Sequence, residues 1–104
     1  MAPLLGPRFE DALAYAAHLH ADQVRKQSGI PYVSHLLAVC SLVLEDGGNE
    51  DEAVAALLHD AVEDHPAELA GGAPLDPIGA AVSVLARDFG PRVAELVRAV
   101  TNPE

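Results

Sequence analysis

Tryptophan is absent, and two tyrosines and two phenylalanines are the only large aromatic residues among 104. A core this poor in rings has to close on small aliphatic side chains. Abundant alanine then favours closely packed helices over a sheet, because alanine has the best helix propensity and a poor strand propensity. Cys40 is the only cysteine, which excludes an internal disulfide and suits a reducing compartment. Its apolar surroundings, 36–44, suit a buried and inert thiol. Basic residues are scarce, six against sixteen acids, for a formal charge of −10. A field of that sign repels polyanions and disfavours binding to DNA, RNA or anionic membranes. A small anionic substrate stays compatible with it where a bound cation and a few local basic residues reverse the potential in one cleft. No apolar run approaches the roughly 20 residues that span a bilayer. The first residues hold no basic segment followed by a long apolar core, so no secretory signal is visible. The expectation is one small, soluble, cytoplasmic domain with a single core.

What is present reads as helix. Pro7 suits a helix start, and Phe9, Leu13, Ala16 and His20 recur at helical spacing, predicting a first helix that runs to about residue 26. Gln27-Ser28-Gly29-Ile30-Pro31 reads as a turn. Pro31 can open a second helix carrying Val33, Leu36, Leu37, Val39, Cys40, Val43 and Leu44, and Gly47-Gly48 ends it. Asn49 with Glu52 three residues on is a capping-box pattern. The third helix is expected to run from there through His59 and to stop near His65, because Pro66 disfavours helical geometry before it. Residues 66–75 read as a loop with a short turn at 67–70. Asp76-Pro77 opens a fourth helix with the stripe Ile78, Ala81, Val82, Leu85 and Phe89. Gly90-Pro91 separates it from a fifth, with Val93, Leu96, Val97 and Val100 on its apolar face, and Asn102-Pro103-Glu104 looks like a helix end. No repeat and no convincing strand are visible. The predicted fold class is an all-α bundle of about five helices.

Chemistry concentrates in Leu57-Leu58-His59-Asp60-Ala61-Val62-Glu63-Asp64. On a helix, His59 and Glu63 lie one turn apart, as do Asp60 and Asp64, against the apolar side formed by Leu57, Leu58 and Val62. The short Gly47-Gly48 connection predicts that the second and third helices are antiparallel neighbours. That brings His35, early in one, to the same end of the bundle as His59, late in the other. Two imidazoles and a carboxylate suit a borderline divalent cation such as manganese, iron or zinc, and three protein donors leave positions for water and substrate. The competing reading is a solvated, acidic helix end, although acids near a helix C-terminus oppose its dipole. A second cluster, His20-Ala21-Asp22-Gln23-Val24-Arg25-Lys26, ends in two cations. These either complement the dipole of the first helix or meet a phosphate and a base. His18 and His65 read as surface residues.

In order, the segments spell H-x-x-Q-x-R-K-x-x-G-x-P-Y-x-x-H, A-x-L-L-H-D-x-x-E-D and F-G-x-x-V-x-x-L-V-x-x-V-T. From about His20 to Thr101 this resembles the HD-superfamily hydrolase domain of RelA/SpoT-type proteins and the small alarmone hydrolases. The resemblance implies an HD-domain bundle over 1–104 that removes the 3′-pyrophosphate from guanosine tetra- or pentaphosphate, usually with Mn2+. It implies His35, His59 and Asp60 as metal ligands, Glu63 and Asp64 as the acidic pair that positions or activates the attacking water, and Arg25 and Lys26 as nucleotide contacts, Arg25 against the base. Leu36 stands where the family usually has proline, and the 65–88 segment is longer than usual. Family members also draw a further aspartate ligand from a helix beyond the V-x-x-V-T segment, so the chain is expected to lack the family's C-terminal helices. Asp22, Asp88 or a partner chain are conceivable substitutes, and oligomerisation is one way to cover apolar surface left open. The alternatives to a phosphohydrolase are a truncated, non-catalytic module that binds nucleotide or a protein partner, and a plain helical interaction domain.

Overall fold

The computed structural model describes residues 4–72 and 75–101, which form seven helical segments: α1 Pro7–Leu19, α2 Val33–Glu45, α3 Glu50–Leu58, α4 Ala61–Asp64, α5 Pro66–Ala70, α6 Pro77–Phe89 and α7 Pro91–Val100. Ala73 and Pro74 of the expected loop, the first three residues and the expected end at Asn102-Pro103-Glu104 lie outside the described residues. The all-α class stands, with one isolated antiparallel bridge, Val24 to Pro31, as the only β pairing among the described residues.

α3 is the axis of the domain. Six consecutive residues, Ala53, Val54, Ala55, Ala56, Leu57 and Leu58, are buried, and α1, α2 and α7 pack around it. Its alanines let those neighbours approach closely, while Leu57 and Leu58 meet Leu36, Leu85, Val93 and Val97 in one apolar cluster. Cys40 is buried in the same cluster, and burial pushes its thiol up. The start of α3 is secured twice. Asn49 Oδ1 accepts from the Glu52 N–H at 2.9 Å while Glu52 Oε1 accepts from the Asn49 N–H at 3.0 Å, the expected capping box. Glu50 accepts from the Gly6 N–H at 2.6 Å and from Arg8, whose guanidinium also pairs with Asp51 and donates to the Phe89 carbonyl. Arg8 thereby ties the start of α1 to the start of α3 and the end of α6.

Gly48 is set by a close approach. A Cβ built there would lie 2.5 Å from a Val43 methyl and 2.8 Å from the Val43 carbonyl oxygen. That contact closes the turn from α2 to α3 and brings the start of α2 to the end of α3, as the antiparallel expectation required.

Two expected boundaries are corrected. The first helix ends at Leu19 rather than near Lys26. His20 to Tyr32 instead fold back on themselves, with the Arg25 N–H bonded to the Ile30 carbonyl and the Tyr32 N–H to the Gln23 carbonyl, and with Gln27 and Gly29 at positive φ. The third helix does not run through to His65 but breaks at His59 and Asp60. The His59 ring donates from Nδ1 to the Ala56 carbonyl at 2.7 Å. In an uninterrupted helix that carbonyl accepts from the N–H of Asp60, so the side chain competes with the continuation of its own helix. Glu63 and Asp64 consequently lie in the first turn of a separate, four-residue helix. The argument that acids opposed the dipole of one long helix therefore does not apply. The 67–70 turn is realised as α5, closed by Gly71 at φ 75°.

Candidate functional site

The break at His59 and Asp60 delivers both side chains to the start of α2. His35, on the first turn of α2, has Nε2 3.5 Å from Asp60 Oδ2, and His59 Nε2 lies 3.1 Å from the same oxygen. One ligand atom from each of the three residues lies within 4.8 Å of the others. The imidazoles meet edge to face at 5.4 Å between centroids. Because the Ala56 carbonyl takes Nδ1 of His59, Nε2 is the nitrogen left to face Asp60, the arrangement that holds a metal-binding imidazole in one tautomer. Asp60 is held in turn by Tyr32, whose hydroxyl donates to Oδ2 at 2.5 Å.

The electrostatics follow from this geometry. Burial opposes ionisation of Asp60, but hydrogen bonds from His59 and Tyr32 and the charge of both imidazoles outweigh it and hold the carboxyl at about 2. The bond to Asp60 raises His59 above its ordinary value, against the opposing effect of burial. Burial and the Asp60 carboxylate both raise the Tyr32 phenol, which keeps it protonated and able to donate. When protonated, His59 supplies positive charge in the place where the donor set would hold a cation. Two imidazole nitrogens and a carboxylate oxygen, converging and partly buried, fit a divalent cation of the borderline class. Among the described residues no other group of three or more donors meets that distance, so neither Asp22 nor Asp88 completes the set. Asp88 is engaged by Arg87 at 2.9 Å on α6.

The basic pair lies next door. Arg25 and Lys26 are exposed in the folded-back 20–32 segment. With Gln23, Val24, Tyr32 and Asp64 they line a cavity of about 370 Å³. Tyr32 therefore joins the two clusters, lining that cavity and donating its hydroxyl to Asp60. Asp64 is exposed and faces the same cavity, while Glu63 is exposed one residue earlier on α4. A mostly apolar groove of about 340 Å³, lined by Val39, Val43, Glu52, Ala55, Leu96 and Val100, also reaches His59.

His65 is corrected from surface residue to structural partner. Its ring packs edge-on against buried His20 at 4.8 Å, with Nε2 2.8 Å from Gln23 Oε1 and Nδ1 2.6 Å from Glu68. His18 stays exposed, as expected. Sequence reasoning also missed the donor role of Tyr32 and the link from Gln23 to Asp64. The i,i+3 spacing of His20 and Gln23 was the available signal for the first part of that network.

A family model described as "HD domain" matches residues 12–104, nearly the whole chain. The chain belongs to the HD-domain family. This HD domain is also 37% identical over 105 residues to a guanosine-3′,5′-bis(diphosphate) 3′-pyrophosphohydrolase of Drosophila melanogaster, covering 98% of this chain and 51% of the relative. It is 39% identical over 91 residues to a protein of Mycobacterium leprae named "Probable GTP pyrophosphokinase", covering 88% of this chain and 10% of that one. It is 35% identical over 95 residues to the bifunctional (p)ppGpp synthase/hydrolase SpoT of Escherichia coli, covering 91% and 12%. The chain thus spans about half the length of the insect relative and about a tenth of the bacterial ones. Among the described residues, no helix is long and apolar enough to cross a membrane.

Proposed function

We propose that this HD domain is a divalent-metal-dependent phosphohydrolase that cleaves the 3′-pyrophosphate from guanosine tetra- and pentaphosphate, the alarmones of the stringent response. One observation carries the reading: His35, His59 and Asp60, from the start of α2 and the α3–α4 break, converge to within 4.8 Å beside a cavity that presents Arg25 and Lys26. The names of the relatives support the substrate class. His35, His59 and Asp60 would hold the cation, with Mn2+ as the metal of choice. When bound, it supplies Lewis acidity toward water and phosphate oxygens.

The chain's own residues do the rest. Arg25 presents a planar guanidinium to the base and Lys26 a mobile positive charge to a phosphate. These two, together with the cation, offset substrate charge in a chain of net −10. Glu63 and Asp64 orient the attacking water, take its proton and return one to the 3′-oxygen as the ester bond breaks. The substrate is a small anionic nucleotide met in the cytoplasm, not a nucleic acid or a membrane.

The test is product release. Incubation with manganese and guanosine 3′-pyrophosphates yields pyrophosphate, and His59→Ala abolishes it. Nucleotide binding without product at saturating metal would instead support the non-catalytic module.

A further inference from the structure

We infer that Gln23 is a positioning residue for the Asp64 carboxylate, set in its working orientation by His20 and His65. A primary amide has an accepting end and a donating end, and here a carboxylate assigns the donating end. Gln23 Oε1 lies 2.7 Å from His20 Nδ1 and 2.8 Å from His65 Nε2, and Gln23 Nε2 donates to Asp64 Oδ2 at 3.1 Å. Turning the amide over would set its oxygen against a carboxylate oxygen and its NH2 group against two ring nitrogens. The other nitrogen of His65 is already committed to Glu68 at 2.6 Å. The Asp64 carboxylate can only accept, so it fixes the NH2 end of the amide and leaves Oε1 to the two rings.

Two further observations point away from a merely space-filling role. His20 is 2% exposed, and its Nε2 makes no hydrogen bond among the described residues. A buried polar atom without a partner costs free energy that a leucine or phenylalanine of similar bulk would avoid. The one polar contact that offsets this cost is the bond from Nδ1 to Gln23. Gln23 also forms the partition between two cavities. One is the Arg25, Lys26, Tyr32 and Asp64 cavity, and the other is a space of about 670 Å³ bounded by Tyr15, His18, Asp22, His65 and Glu68. Its donating end is turned to the first. An uncharged donor on Oδ2 orients Asp64 without neutralising it, which leaves Oδ1 to engage the attacking water. Like the mechanism it refines, this role rests on the proposed phosphohydrolase function.

Four variants test it: Gln23→Leu, His65→Leu, His65→Gln and Asp64→Ala. In the manganese-loaded protein, Gln23→Leu and His65→Leu should lower kcat about ten- to a hundredfold, the usual cost of losing an orienting partner. KM for the guanosine 3′-pyrophosphate and manganese affinity should stay near wild type. His65→Gln restores an N–H close to the position of Nε2 and should recover most of kcat. Wild-type kcat in Gln23→Leu, or no difference between His65→Gln and His65→Leu, overturns the inference. A second readout does not need turnover. In the metal-free protein, NMR should find the Gln23 side-chain amide protected from solvent exchange, with protection lost in His65→Leu and in Asp64→Ala, which removes the acceptor. Equal exchange in all three proteins overturns the inference even where wild type releases no pyrophosphate. Protection without turnover upholds the positioning contact while the functional reading fails.

Discussion

Removing one hydroxyl, by Tyr32→Phe, should weaken manganese binding about tenfold without dismantling the fold. The Tyr32 hydroxyl donates to Asp60 Oδ2 at 2.5 Å, and the carboxyl is held at about 2 instead of 3.8. That displacement corresponds to about 2 kcal/mol favouring the carboxylate, shared among Tyr32 and the two imidazoles after burial has opposed it. A hydrogen bond to a charged group contributes about 1.5–3 kcal/mol, so the Tyr32 share lies at the lower end, about 1.5 kcal/mol, or about a factor of ten in affinity. Phenylalanine keeps the ring contacts to His20 at 5.2 Å and His35 at 5.5 Å, which isolates the hydroxyl from packing. Isothermal titration with MnCl2 measures the affinity, and thermal melting of the metal-free protein checks the fold. Unchanged affinity in a folded variant would refute the claim that Tyr32 orients Asp60 for a cation.

The metal-free protein should be most stable between about pH 4 and 6.5. The folded value of Asp60 is depressed, so its stabilising contribution is present above about 4 and is lost as pH falls toward 2. The folded value of His59 is raised, so its contribution is full below 6.5 and is lost as pH rises through the folded value. Melting temperature against pH, with and without manganese, checks this, and metal should flatten the alkaline limb because it binds deprotonated His59. Asn49→Ala removes the acceptor for the Glu52 N–H and should cost about 1 kcal/mol in urea unfolding, with no change in metal affinity. Leu57→Ala, fully buried in α3, should cost about 2–5 kcal/mol in the same measurement.

Where structure followed local chemistry, the sequence was readable. Asn49 and Glu52 formed the capping box their spacing announced, Pro77 and Pro91 open the helices they were expected to open, and Gly47-Gly48 turns α2 back onto α3. The convergence of His35 with His59 and Asp60 followed from that antiparallel turn. What escaped was structure made by individual hydrogen bonds that no residue pattern announces. No proline or glycine marks the break at His59; a ring nitrogen on the Ala56 carbonyl marks it. Nothing periodic ends α1 at Leu19, where the Val24 to Pro31 bridge and the Tyr32 N–H on the Gln23 carbonyl divert the chain. His65 looked like a surface residue because its partner Gln23 is 42 positions away in sequence.

The central claim is that His35, His59 and Asp60 form one cation site. Anomalous diffraction from crystals grown with manganese tests it most directly. The account predicts a manganese peak bounded by the Nε2 atoms of His35 and His59 and the carboxylate of Asp60, absent from the His59→Ala variant. No peak there at saturating manganese, or a peak that persists in the variant, would contradict it.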